Sequence, residues 1–218
     1  MVEVLYEDNH IIIVNKKAGE ITQGDKTGDE PLSEKVKRYL KHRHNKPGNV
    51  FLGTVHRLDR PVSGVIVFAK TSKALTRLNK MFQEKKMQKT YWAKCIQAPK
   101  VEQDKLIHWL VKDSKKNKTK AHIRQVSNGK KSELTYTHLK EHKIHNLIEV
   151  LPLTGRPHQI RVQLASIGCI ILGDLKYGAL SPNKDKSICL HSRRIEFIHP
   201  VGKEKIDVIA PLPKENWV

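Results

Sequence analysis

The chain has 218 residues, a length that fits one substantial domain, and 38% of them are hydrophobic, enough for a packed core. Subtracting 22 Asp and Glu from 41 Lys and Arg leaves a net charge of +19. A cytosolic enzyme of small metabolites does not need that excess, whereas a polyanionic partner, nucleic acid first, explains it. Apolar runs such as Ile11–Val14 and Val65–Ala69 fall far short of the ~20 residues a membrane-spanning helix requires. No secretory leader is recognisable, and Cys95, Cys169 and Cys189 are too widely spaced for a zinc ribbon or a redox pair. The expected setting is the cytoplasm, with reduced thiols.

Val2–Tyr6 and His10–Asn15 read as two short strands around the turn Glu7-Asp8-Asn9, followed by a long polar loop over Lys16–Asp29. Pro31 suits a first helical position, and Leu32, Val36, Tyr39 and Leu40 recur at helical spacing. Phe51–Val55 and Gly64–Ala69 read as strands enclosing the polar segment His56–Ser63. Ser72 can cap a helix through Glu84, with Leu75, Leu78 and Phe82 on one face. Thr90–Ile96 and Leu106–Val111 are strand-like.

Residues 112–131 form a basic patch, in which eight Lys and Arg (112, 115, 116, 118, 120, 124, 130 and 131) face the single acid Asp113. Strands follow at Glu133–Leu139 and Asn146–Leu151, then a helix from about Arg156 to Ile167 and a short strand at Cys169–Leu172. Ile188–Ile198 and Lys205–Ile209 close the chain as a hairpin around His199-Pro200-Val201-Gly202. Strands dominate, regular βαβ alternation is missing, and about three helices interrupt them, so the expected class is α+β with a largely antiparallel sheet.

Three segments carry candidate chemistry. His56-Arg57-Leu58-Asp59-Arg60-Pro61-Val62-Ser63-Gly64 sets one carboxylate among basic side chains, on a backbone that Pro61 and Gly64 make turn sharply. Nearby positive charge holds such an acid ionised, ready to act as nucleophile or base. A structural aspartate pairing two loop arginines explains the spacing equally well. In Thr154-Gly155-Arg156-Pro157-His158-Gln159-Ile160-Arg161, Arg161 lies at the margin of the stripe Ile160, Leu164 and Ile167, where it either reaches inward to an acid or belongs to the solvated basic face of an amphipathic helix. In Lys89-Thr90-Tyr91-Trp92-Ala93-Lys94, strand alternation sends Tyr91 and Ala93 to one face and Trp92 and Lys94 to the other. Tyr91 is there either a core aromatic or a surface for stacking on a base.

Taken in order, these segments resemble the RluA-type family of pseudouridine synthases. So does Ile171-Leu172-Gly173-Asp174-x-x-Tyr177-Gly178 behind them. The opening Tyr6–His10 and Asn15–Gly19 resemble that family's catalytic-domain start, and His199-Pro200 through Ala210–Pro213 its end, so the resemblance covers nearly the whole chain. It departs at Lys17, Val62, Pro157, Gln163 and Cys169, where the family commonly has Pro, Thr, Thr, His and His.

The resemblance implies a pseudouridine synthase-like α+β fold: a central, bent, largely antiparallel mixed sheet flanked by a few helices and loops. Residues 1–218 would form a single catalytic domain without a separate N-terminal RNA-binding domain. It implies isomerisation of a uridine in RNA, tRNA or large-subunit rRNA, with the target base flipped out, no cofactor and no metal; a monomer is the default expectation, which the resemblance does not set. By similarity Asp59 is the catalytic carboxylate, Tyr91 packs against the target base, and Arg161 pairs with the acid. Arg57 corresponds to an arginine at the flipped nucleotide. His56, Arg60, Arg156, Lys115, Lys116, Lys118 and Lys120 are further candidate RNA contacts. The alternative is a catalytically silent RNA-binding protein on the same scaffold.

Overall fold

A computed structural model describes every residue except Met1, Lys26, Lys143, Ile144 and Val218. The chain divides into two compact units: Met1–Gln88 with Ser192–Pro213, and Lys89–His191 with Lys214–Val218.

Unit 1 is built on β1 (Glu3–Glu7), β2 (Ile11–Lys16), β3 (Gly53–Thr54), β4 (Ser63–Ala69), the Ser192–Ile198 part of β10 (Leu190–Ile198), and β11 (Lys205–Ile209). β1 pairs with β2, β2 with β4, β3 with β4 and β10 with β11, all antiparallel. Ile11–Val14 and Val65–Ala69 are fully buried, as expected of strands covered on both faces. One face carries Ile11, Ile13, Val65, Val67 and Ala69 into a cluster with Ala74, Leu78, Ile195, Phe197, Ile206 and Val208.

Helix α2 (Ser72–Gln83) covers β3 and β4; its cap is Thr71, whose hydroxyl accepts from the Ala74 amide, rather than Ser72. Helix α1 (Leu32–Arg43) buries Leu32, Val36 and Leu40, and Pro31 stands just before its first residue. The strand expected over Phe51–Val55 shrinks to two residues, because only Gly53 and Thr54 find partners on β4. There α2 approaches so closely that a Cβ on Gly53 would stand 2.8 Å from the Leu75 methyls.

Unit 2 is an antiparallel meander-like sheet of β5 (Gln88–Cys95, from Lys89 on), β9 (His145–Pro152), β8 (Lys130–His142), β6 (Gln103–Asp113) and β7 (Lys118–His122). Helix α3 (Gln159–Ser166) packs on β6, β7 and a 3₁₀ turn at Leu175–Tyr177. Three expectations shift here. β7 lies inside the basic patch, where a run of charges hides strand alternation. α3 starts at Gln159, not Arg156, because His158 is left-handed (φ 56°) and Gln159 Oε1 accepts from the Arg156 amide and the Thr154 hydroxyl, holding 154–158 as a turn. Cys169–Leu172 forms only a single bridge, Cys95 to Ile171, before Gly173 turns the chain. The three thiols are free and buried. Among the described residues no helix is long and apolar enough to cross a membrane.

Candidate active site

Asp59 sits on the loop between β3 and β4, half-buried, with Leu58 buried behind it and Arg57 exposed beside it. The backbone around it is tied at nearly every step. Thr22 Oγ1 accepts from the Leu58 amide at 3.3 Å and donates to the Leu58 carbonyl at 3.4 Å. The Val62 amide donates to the Asp59 carbonyl, and the Gly19 amide to the Arg60 carbonyl. The loop ends at Gly64, which has φ 114°; a Cβ there would collide with the Ser192 backbone, so this position admits only glycine.

The strongest tie is Lys16, at the end of β2. Its side chain is fully buried, and its Nζ donates to the carbonyls of Lys17 (3.0 Å), Arg60 (3.1 Å) and Val62 (2.6 Å). An ammonium has three donors, and here each meets a carbonyl dipole. Burial lowers the Lys16 pKa to about 7, although the nearby charges of Glu20 and Asp59 work to raise it. In sequence Lys16 is marked only as a lysine just past the apolar run Ile11–Val14, inside the segment Asn15–Gly19 that resembles the family's start, and neither feature assigns it this role.

Two residues expected near the acid as RNA contacts, Arg60 and His56, have partners elsewhere in unit 1. Arg60 reaches the 25–29 loop, donating to Asp29 Oδ2 at 2.6 Å and Thr27 Oγ1 at 2.8 Å. His56 Nε2 accepts from the Val67 amide at 3.0 Å, which fixes that nitrogen as unprotonated, and its ring lies against Phe82. Arg57 is the exposed cation of this loop.

In unit 2, Tyr91 is 8% exposed on β5. It stands opposite Val150, which in turn stands opposite Tyr136, and directly paired residues project to the same face. By the pairing of β6 with β8, this face also carries Leu106, Leu134 and Ser132. Gln163 of α3 bonds to the Leu106 and Ser132 carbonyls, so Tyr91 lies on the face that α3 covers. Lys89, two residues before Tyr91 on the same face, has its pKa lowered by burial; its Nζ would be 3.9 Å from a Cβ on Gly155.

Arg161 on α3 is 5% exposed and forms a two-pronged pair with Asp174, Nε to Oδ2 at 2.7 Å and Nη2 to Oδ1 at 2.8 Å. Nη1 lies outside that fork. The Tyr177 ring lies 5.1 Å from the guanidinium carbon, and its hydroxyl bonds to His158 Nδ1 and accepts from the Thr119 amide, both at 2.9 Å. Burial raises the Tyr177 pKa, so the phenol keeps its proton. Asp174 and Tyr177 thus hold Arg161 in place. Gly173 makes the turn possible: it has φ 82°, and a Cβ there would stand 2.7 Å from the Ser187 carbonyl. Asp174 belongs to the quoted glycine–aspartate motif, but nothing in its spacing links it to Arg161, which is 13 residues away in sequence and on another element.

All eight cations of residues 112–131 are exposed. Lys115 and Lys116 occupy the β6–β7 turn, Lys118 lies over the Tyr177 ring, and Lys120 stands opposite Val111. Arg156 is exposed on the turn before α3. Asp59 and Arg57 therefore belong to unit 1, and Tyr91, Arg161, Arg156 and the hairpin lysines to unit 2.

Known proteins resemble this chain in sequence and in fold. The profile of the RNA pseudouridylate synthase family matches residues 10–166. Ribosomal large subunit pseudouridine synthase C of Buchnera aphidicola subsp. Schizaphis graminum is 36% identical over 216 residues, covering 96% of this chain and 67% of that one. The protein of the same name in Vibrio cholerae is 31% identical, covering 96% and 65%. The uncharacterized RNA pseudouridine synthase YhcT of Bacillus subtilis is 33% identical, covering 98% and 69%. The chain spans about two thirds of the length of these relatives. Among solved structures, human RNA pseudouridylate synthase domain containing 4 superposes with a TM-score of 0.81 at 22% identity, covering 97% of this chain and 89% of that one. Its namesake, domain containing 1, gives 0.77 at 23%, covering 98% and 84%. Those two share the fold; the family profile and the curated relatives go further, and by them the chain belongs to the RluA-type RNA pseudouridine synthases, isomerases that act on RNA.

Proposed function

We propose that this chain isomerises a specific uridine in a structured RNA, with Asp59 as the catalytic carboxylate, Tyr91 against the target base and Arg161 as the arginine that, by family resemblance, pairs with the acid. The observation that carries this reading is the loop around Asp59. The half-exposed carboxylate stands on a backbone fixed by Thr22, Val62, Gly19 and the buried Lys16. A reacting group gains most when its position is set before substrate arrives.

The reaction breaks the bond between ribose C1′ and the base nitrogen, turns the uracil, and joins C1′ to base carbon C5, whose proton leaves. A stacked base cannot present this bond, so the nucleotide must leave the helix at a cost of a few kcal/mol. Phosphate contacts to Arg57, Arg156, Lys115, Lys116, Lys118 and Lys120 offset that cost. His56 bonds to the Val67 amide and Arg60 to Asp29, so these two rank behind the others as RNA contacts. Residues 1–218 work as one catalytic domain, a cytoplasmic monomer. The names of the curated relatives make large-subunit rRNA the first RNA to test and tRNA the second.

The test is tritium release from RNA labelled at uridine C5. Wild type should release tritium from one pool, and Asp59→Ala, folded and RNA-bound, should fall to background. Undiminished release by Asp59→Ala overturns the assignment of Asp59. Binding without release from either pool overturns the catalytic reading in favour of an RNA-binding protein.

A further inference from the structure

A cavity of about 240 Å³ opens in unit 2 between the β6–β7 hairpin, the start of β8 and the turn before α3. Leu110 and Pro157 give it apolar walls, Val111 borders it, and Lys112, Lys130 and Arg156 give it three cations. Tyr91, Arg161 and Asp174 do not line it.

Strand register explains the convergence. Lys112 is paired with Thr119, and Lys130 with Leu110, two residues before Lys112. Paired residues share a face, as do residues two apart, so both lysines project from neighbouring strands to the face that α3 covers. Lys120 and Lys131, paired with Val111 and Trp109, project the other way. The basic segment is therefore two surfaces, and only one of them meets Arg156. That residue is fixed by its neighbour: Thr119 Oγ1 donates to the Pro157 carbonyl at 3.0 Å, pinning the turn to the hairpin.

The nearby acids are already taken. Asp113 Oδ1 accepts from the Lys116 amide, and Glu133 is held by Lys105 and Lys131. Among the described residues, Lys112, Lys130 and Arg156 have no carboxylate partner. Three like charges around so small a space repel one another, and an anion between them reverses the sign of that interaction. A bare anion would make no use of the apolar walls, whereas a nucleotide offers both a phosphate and a flat face. The volume falls below the ~300–1,000 Å³ of ordinary small-molecule sites, which suits one nucleotide of a longer chain.

We propose that this cavity is an RNA-docking subsite taking one nucleotide other than the reacting uridine, its phosphate between Lys112, Lys130 and Arg156 and its base or ribose against Leu110 and Pro157. The proposal rests on the RNA-modifying reading for the source of the nucleotide, but its test does not use turnover. Phosphate contacts are independent of sequence, so an in vitro transcript of large-subunit rRNA serves as the probe. The double variant Lys112→Gln/Lys130→Gln should bind about tenfold more weakly, with a log–log salt slope shallower by about 1. The charge-matched variant Lys41→Gln/Lys46→Gln, on exposed positions in unit 1, should lose at most about twofold. Equal losses in both doubles, or none in the first, overturn the subsite.

A second arm separates nucleotide from anion. Uridine 3′,5′-bisphosphate should shift the Thr119 and Lys130 amide resonances at concentrations where inorganic phosphate does not. Equal shifts by both ligands reduce the cavity to an anion site and overturn the proposal. Normal turnover by Asp59→Ala would remove the assigned chemistry and leave the subsite standing. Unchanged affinity in Lys112→Gln/Lys130→Gln, with turnover still dependent on Asp59, would remove the subsite alone.

Discussion

Lys16 in unit 1 and Arg161 in unit 2 are both cut off from water, and each holds a segment that the proposed chemistry needs. Lys16 meets only backbone carbonyls, whereas Arg161 meets the two oxygens of Asp174. A lysine can shed its proton and still donate two hydrogen bonds through its neutral amine, so dipoles suffice for it, with a pKa lowered to about 7 by burial. An arginine keeps its proton under all ordinary conditions, so its burial requires a counter-charge. In unit 1 the Lys16 tie thus fixes the loop through backbone dipoles. Unit 2 fixes its helix start with a full ion pair.

The largest effect expected from this contrast is at Asp174. Asp174→Ala leaves a guanidinium buried without its carboxylate, and breaking a buried pair in this way typically costs ~3–5 kcal/mol. The denaturant midpoint should fall accordingly, with an unchanged m-value. Asp174→Asn keeps an acceptor and should lose less. A stable Asp174→Ala chain would show that Arg161 needs no counter-charge and would break the comparison.

Lys16→Met, close in shape and without donors, should cost less, ~1–3 kcal/mol, as the carbonyls of Arg60 and Val62 lose their partner. Its signature is in the pH dependence. The folded pKa of about 7 lies below the ordinary value of 10.5, so between those limits the unfolded chain holds a proton that the folded chain has released. Raising pH favours the state with fewer protons, and the stability of wild type relative to Lys16→Met should rise from about pH 7 to about 10.5. Below pH 7 both states hold the proton and the difference should be flat. A difference that falls with pH would mean that Lys16 gains a charge partner on folding, as Arg161 does.

Much of this contrast was legible in the sequence only in outline. The strands of unit 1 were plain because Ile11–Val14 and Val65–Ala69 are apolar runs of strand length, and Asp59 stood out as an acid among cations. What the neighbouring basic side chains do was not legible. Arg60 and His56 sit one and three residues from Asp59, and both turn away to partners 31 and 11 residues distant. Sequence proximity gives no side-chain direction on a loop. Helical phase put Arg161 at the margin of the buried stripe and left it open between an inward arginine and a solvated one; its acid, Asp174, lies beyond the helix on a turn that only Gly173 permits. β7 was hidden for a different reason: Lys118 and Lys120 alternate with Thr119 and Ala121, and strand pairing with β6 outweighs the weak local preference of lysine for a strand.

The smallest effect is the most discriminating for unit 1. Thr22→Val removes two long hydrogen bonds to Leu58 while keeping the side-chain shape, and should cost ~1 kcal/mol. Thr76→Val, whose hydroxyl bonds only to the Ser72 carbonyl on an exposed helix face, should stay within ~0.5 kcal/mol. If the loop is one structure held at both flanks, the losses from Lys16→Met and Thr22→Val are not independent. Once Lys16 releases the Arg60 and Val62 carbonyls, the Leu58 bonds hold a segment that is already loose, and the second substitution costs less than the first. A double-mutant cycle should therefore give a coupling of ~0.5 kcal/mol or more, with turnover losses that likewise fall short of multiplying. Strict additivity would mean that Thr22 and Lys16 pin separate pieces, and that the position of Asp59 rests on the Lys16 side alone.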